Sequence, residues 1–329
     1  MAFYQKQISD LTKKLDSIEQ KLLKLSIEIS QSTETSNLYW STLKKQASQY
    51  YEEARVIYAD WMNKEIPKAY NDDLASQIRR IKQLSFVPTI SVHYNKVSKK
   101  DLNKQTISTI LNDSLSSFYS ATETGNNQLN RLLSATQQLN LKEKTINKAI
   151  NEGFVKGAKT GGIFSKRVGK GSLYGAQRQL QNELLKKSLD GQYITIIDKN
   201  GKPRNYNIKS YAEMVARTKL IETQTAATVN ISMAYGSGLV QVSSHNTLTA
   251  YDAQFEGKVF DLTGKNPNFP NADDLPPFHP NCLHTITVFF EEALNDSQLQ
   301  KISDFSKGIT DIHPTRPGHI PLSERENLK

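Results

Sequence analysis

Seven apolar residues near the start of the chain, Ile8, Leu11, Leu15, Ile18, Leu22, Leu25 and Ile29, recur at alternating steps of three and four. That spacing sets them on one stripe of an α-helix, an a/d seam that needs a second helix to cover it. The Ser/Thr/Asn-rich stretch from Ser30 to Asn37 breaks the pattern, and a second helix is expected from about Leu38 to Asn63, carrying Trp40, Tyr50, Tyr51, Ile57, Tyr58 and Trp61. An antiparallel hairpin of the two would satisfy both seams within one chain. Pairing between chains is the alternative, although three heptads are short for a free-standing coiled coil. Further helix is expected from Asn71 to Leu84 and from Lys100 to about Gln138.

Beyond residue 190 the period changes from helical to alternating. Gln192 to Asp198 and Arg204 to Ile208 read as two strands joined through Asn200-Gly201, a pair suited to the positive φ of a tight hairpin. Tyr211 to Ser232 reads as an amphipathic helix with Met214, Val215, Leu220 and Ile221 buried. Leu239 to Ser243, Lys258 to Leu262 and Thr285 to Phe290 read as strands. The fold class is therefore α+β, an elongated helical N-terminal half followed by a compact C-terminal domain with a small sheet. The segments expected are a helical region at 1–140, a basic glycine-containing segment at 141–190, the α+β domain at 191–294 and a polar, partly ordered tail at 295–329 with Pro314, Pro317 and Pro321.

The 329 residues carry a formal charge of +9, and hydrophobic residues make up only 37% of them. Between Leu141 and Lys187 eleven Lys or Arg face three Glu, and seven of the sixteen glycines fall in the same stretch. A solvated linker has this composition. So does a segment that gains affinity for nucleic acid by releasing condensed counterions, for which Lys156, Lys159, Lys166, Arg167, Lys170 and Arg178 are the candidate contacts. A single cysteine cannot close an internal disulfide, which suits a reducing cytoplasm. No apolar run approaches the roughly 18 to 20 residues that cross a bilayer, and the N-terminus lacks the apolar core of a signal peptide, so no membrane role is expected.

Candidate chemistry concentrates in one nonapeptide, Pro276-Pro277-Phe278-His279-Pro280-Asn281-Cys282-Leu283-His284. The prolines favour an extended, rigid approach to the following strand. If the strand begins by Cys282, that residue and His284 share a face. A soft sulfur and an imidazole there, with His279 just upstream, can ligate metal or pin the loop by hydrogen bonds.

The order of segments after residue 164 resembles the head morphogenesis, Mu F-like family of tailed-bacteriophage minor head proteins, in particular the minor capsid proteins of phages of Gram-positive bacteria. The matching stretches are ITIIDKNGKPRNY, YAEMVARTKLIETQ, VQVSSH, EGKVFDLTG and PPFHPNCLH, covering roughly Phe164 to Glu292, with FSKRV and IPKAY as further matches. The resemblance implies a structural protein of the virion that acts in capsid assembly in the host cytoplasm. It further implies association with the portal or the major capsid protein, and contact with packaged phage DNA. Members often carry cysteines ahead of the glycine in the EGK segment. Here Asp252 stands at that place, leaving a mixed set of Asp252, His279, Cys282 and His284, with His245 in reserve, whose ligand types suit zinc.

Enzyme readings are weaker on residues alone. Cys282 and His284 lie on one short segment with no third orienting group legible in the sequence. No Gly-x4-Gly-Lys-Ser/Thr phosphate loop and no Glu-x-Glu pair after a Ser-Thr-Ser-like strand occur. A non-enzymatic phage head protein is therefore expected first, a non-specific nucleic-acid-binding module second and a metal-dependent hydrolase third.

Overall fold

A computed structural model describes residues 4–84, 99–157, 182–183, 185–198, 201–247, 250–311, 313–314, 321 and 324, without the side chains of 99–102, 145–157 and 250. The fold class is α+β. The elements in chain order are α1 (Gln5–Gln31), α2 (Asn37–Ile81), α3 (Lys99–Gly157), β1 (Ile194–Ile197), β2 (Pro203–Tyr206), α4 (Ile208–Ala234), β3 (Leu239–Val242), α5 (Ala250–Ala253), β4 (Val259–Asp261), β5 (Ile286–Phe289) and α6 (Asp296–Ser306).

These elements form two compact units assembled from separate stretches of chain. One holds Met1–Ile8, Trp61–Leu115 and Met214–Lys329, and the other holds Ser9–Asp60 and Ser116–Glu213. Division into four consecutive segments, as read from the sequence, is thus not how the chain clusters. Its long helices contribute one part to each unit, because their buried stripes continue past the boundaries that polar residues suggested.

In the helical unit the α1 seam is buried throughout, with Leu11, Leu15, Leu22 and Ile29 fully enclosed. Lys21 Nζ meets Glu53 Oε2 at 2.5 Å, and Tyr39 donates to Glu28 Oε1 at 3.0 Å. Partner numbers fall on α2 as they rise on α1, so the two helices form the antiparallel hairpin within one chain. Helix α3 packs against α2 in the same antiparallel sense. Arg55 reaches Thr122 and Glu123, each at 2.8 Å, and the rings of Tyr58 and Phe118 stack at 4.0 Å. At the other end Asn140 Nδ2 donates to the carbonyls of Ser32 and Glu34, the residues that connect α1 to α2. Gly125 lies inside α3 because there is no room for a side chain. A Cβ there would come within 2.7 Å of the Tyr193 carbonyl and 2.9 Å of the Tyr51 ring. The β1–β2 hairpin pairs Ile194 with Tyr206 and Ile197 with Pro203, and it turns through Gly201 at φ +75.

The sheet-bearing unit is built on three antiparallel strands in the order β4-β3-β5. Successive residues of β3 point to opposite faces. Leu239 joins Val259, Phe269, Ile302 and Phe305 on one side, and Val240 and Val242 join Phe260 and Ile286 on the other. The second part of α2 belongs to this unit. Asp73 accepts from Thr228 of α4 at 2.8 Å, and Gln77 accepts the backbone N–H of Val288 in β5 at 3.4 Å.

Two expectations change here. The helix read as ending near Asn63 and restarting at Asn71 is one helix with Pro67 inside it. Proline in a helix interior costs about 3 kcal/mol or more, yet Met62, Ile66, Ala69 and Tyr70 are all buried within this stretch and offset that loss. The polar tail assigned from residue 295 contains α6. Asn295 and Gln298 form a reciprocal capping box at its start, while Ile302 and Phe305 enter the core. A single apolar pair on a short helix escapes periodicity analysis, which is why the helix read as tail.

Candidate functional site

The site forms where β3 runs out into residues 243–247, the turn at Glu256-Gly257 leads into β4, and the proline loop enters β5. Ser243 locks the first and last together, its N–H donating to the Thr285 carbonyl at 2.8 Å and its Oγ accepting from Thr285 N–H at 3.0 Å. Asn246 adopts φ +52, a left-handed conformation that Asn tolerates. The backbone there converges its N–H groups on one point, a small anion-binding nest. Glu256, fully buried, fills it. Its Oε1 accepts from His245 at 3.1 Å and from Thr247 at 2.9 Å, and its Oε2 accepts from Asn246 at 3.0 Å.

Glu256 Oε1 also faces His284 Nε2 at 3.1 Å, while Nδ1 of the same ring lies 3.5 Å from Cys282 Sγ. The backbone N–H of His284 points at that sulfur as well, at 3.4 Å. Both ring nitrogens therefore face acceptors, which favours a doubly protonated imidazole beside a thiolate. Burial by itself would lower the pKa of His284, but Cys282 and Glu256 raise it to about 9. Burial would raise that of Cys282, but the ring and backbone N–H of His284 and the backbone at Phe278 hold it below the ordinary thiol value.

A second pair secures the loop. His279 Nε2 lies 2.6 Å from Asp252 Oδ2, and its Nδ1 lies 2.8 Å from the Pro280 carbonyl. Again both nitrogens face acceptors. Desolvation opposes the charge on His279, and the Pro280 carbonyl and Asp252 carboxylate overcome it, so the pKa is raised. Phe278 stacks on Phe255 at 4.3 Å and lies 5.7 Å from the His284 ring. The His245 ring meets His284 edge-on at 5.0 Å.

Asp252, His279, Cys282 and His284 are thus arranged as two separate pairs. Among the described residues, no group of three or more His, Cys, Asp or Glu is placed to hold a metal ion. The histidine nitrogens that a metal would need are directed at Asp252, Pro280, Glu256 and Cys282, so the hydrogen-bonded loop is the arrangement the geometry supports. His245 is engaged by Ser243 Oγ at 2.9 Å.

The third group behind Cys282 and His284, which sequence reading did not find, is Glu256. Its signal was present in the EGKVF run, where an acidic residue precedes a glycine and a strand. Cys282 is fully buried, so no substrate atom reaches its sulfur in this conformation. His313 was also missed. It packs against Gly257, where a Cβ would come within 2.3 Å of its Nε2. Of the candidate nucleic-acid contacts, Lys156 lies in α3 without a described side chain, and Lys159, Lys166, Arg167, Lys170 and Arg178 lie outside the described residues. No helix among the described residues is long and apolar enough to cross a membrane.

Comparison with known proteins gives one match. The family model described as phage minor capsid protein 2 matches residues 56–308, which take in the whole of this site and well over half of the chain. Neither the curated proteins nor the solved structures gave a match.

Proposed function

Because the chain belongs to the phage minor capsid protein 2 family, we propose that it is built into the phage head as a minor structural component, docking at the portal or the inner capsid wall during assembly. The observation that carries this reading is the family match over residues 56–308. A structural role without catalysis is consistent with the site. Its one thiol is enclosed and its polar groups are spent on fastening the proline loop to the sheet. The virion is then where the protein resides, with the host cytoplasm as the place of assembly.

For docking we favour the α1–α2 hairpin, whose seam is internally satisfied while Leu38 and Val56 stand 77% and 52% exposed. Co-expression with the cognate portal protein or major capsid protein should give a complex that the double change Leu38→Asp, Val56→Asp abolishes. Because both side chains face solvent, the protein should keep its melting temperature. Retention of the complex would move docking away from the hairpin, and failure of the unaltered protein to bind any head component would overturn the assembly reading.

Contact with packaged DNA is a second part of the proposal, supported by the eleven cations against three acids between Leu141 and Lys187. Binding of this kind has no sequence preference and weakens steeply with salt. Replacing Lys166, Arg167 and Lys170 by Ala should flatten the salt dependence. Salt-independent binding, or an unchanged slope in the triple variant, would rule it out.

A further inference from the structure

The sulfur of Cys282 is the one nucleophile in the chain that the fold surrounds with both a cation and a carboxylate, and the assembly reading does not use it. His284 lies between Cys282 Sγ and Glu256, at 3.5 and 3.1 Å. Glu256 takes three backbone N–H groups besides, which fixes it as an acceptor and leaves His284 to donate from Nε2. Sγ receives the backbone N–H of His284, so it too is placed as an acceptor, and His284 Nδ1 carries a proton toward it. Thiolate, imidazolium and carboxylate in line make the arrangement that activates cysteine nucleophiles.

A second observation comes from Asp252. It is 3% exposed, its Oδ2 engages His279, and its Oδ1 has no hydrogen-bond partner among the described residues. A buried carboxylate oxygen left unmet calls for a donor. His279, the residue that Asp252 holds, in turn accepts the Cys282 backbone N–H through its carbonyl at 3.1 Å. The unmet acceptor therefore belongs to the clasp that closes the loop over the sulfur.

We propose that Cys282 is a modification site for the disulfide of a small aminothiol, entered when the proline loop opens. The Cys282 thiolate attacks one sulfur of the disulfide, the S–S bond breaks, and the second sulfur leaves as a thiolate. It takes the Nδ1 proton of His284, whose neutral ring still donates from Nε2 to Glu256. One disulfide and one thiolate become one mixed disulfide and one small thiol, with no outside oxidant. The ammonium group of the captured half supplies the donor that Asp252 Oδ1 lacks. The charged and titratable groups facing the sulfur are His284 and His279 on its own loop, Glu256 behind His284, Asp252 behind His279, and His245 against the His284 ring.

Cystamine is a suitable probe for the full-length protein. Intact-mass spectra should show one half-cystamine adduct on the unaltered protein and none on Cys282→Ser. Its rate should be nearly flat from about pH 6 to about pH 8, where an ordinary thiol would speed up about tenfold per unit. His284→Gln should restore that slope. Should these variants fail to fold, the ultraviolet thiolate band of the unaltered protein decides alone, and it should already be present near pH 6. A band that rises only toward the ordinary thiol range would overturn the proposal. So would an adduct that forms only after unfolding, or a stoichiometric metal ion that must be chelated before the sulfur reacts.

Discussion

Glu256 and His284 meet at 3.1 Å at the centre of the site, the carboxylate fully buried and the imidazole 3% exposed. They come from segments 28 residues apart in sequence. Their contact joins the turn before β4 to the start of β5, and the three backbone donors on Glu256 tie both to the end of β3. A group that satisfies four donors in the interior is hard to replace, because each would be left without a partner.

Changing Glu256 to Ala should therefore cost about 3–5 kcal/mol, the range for breaking a buried charge pair. Urea unfolding followed by fluorescence measures it. A loss below about 1 kcal/mol would mean that the loop is held elsewhere, by the Asp252–His279 pair or the aromatic stack.

Stability should depend on pH with opposite signs on the two sides of neutrality. The folded-state pKa of His284 is raised to about 9, so its contribution is full below the unfolded value of about 6.5 and is lost as pH rises through about 9. The pKa of Cys282 is lowered, so the stability that its thiolate contributes is lost as pH falls through that depressed value. Melting temperatures of the unaltered protein and His284→Gln should converge toward pH 9. A constant difference across this window would show that His284 acts through packing alone.

Asp73 gives a separable signal in the sheet-bearing unit. Burial raises its pKa to about 6, only partly offset by hydrogen bonds from Thr228 and Gln77. The folded state then holds a proton that the unfolded state gives up between about pH 4 and pH 6, so this group's contribution declines as pH rises through that window. Relative to Asp73→Asn, the unaltered protein should lose about 1–3 kcal/mol between pH 4 and pH 7. Parallel unfolding curves for the two proteins would refute the shifted carboxyl.

Gly125→Ala tests the close approach in α3. Helix propensity alone favours Ala by about 1 kcal/mol, but the added Cβ meets the Tyr193 carbonyl at 2.7 Å and the Tyr51 ring at 2.9 Å. Overpacking should dominate, giving a net loss of about 1–3 kcal/mol by thermal or urea unfolding. A more stable variant would mean that Tyr193 moves aside freely.

Short-range periodicity determined the elements by itself. The Ile8-to-Ile29 seam, the strands around Gly201 and the β-branched run after His284 are local patterns, and each is the element its spacing indicates. The proline loop stood out as the place of chemistry for the same reason, since its prolines, histidines and cysteine are contiguous. Tertiary structure decided what long-range contacts decide. Pro67 remains within a helix because buried neighbours outweigh its missing hydrogen bond. Residues 296–306 fold because Ile302 and Phe305 find the sheet. Glu256 joins His284 because antiparallel strands bring distant turns to one end, and the same contacts settle which nitrogen faces which oxygen. Ligand types are written in the sequence, but whether they meet one another or a metal depends on directions that only the packed chain fixes.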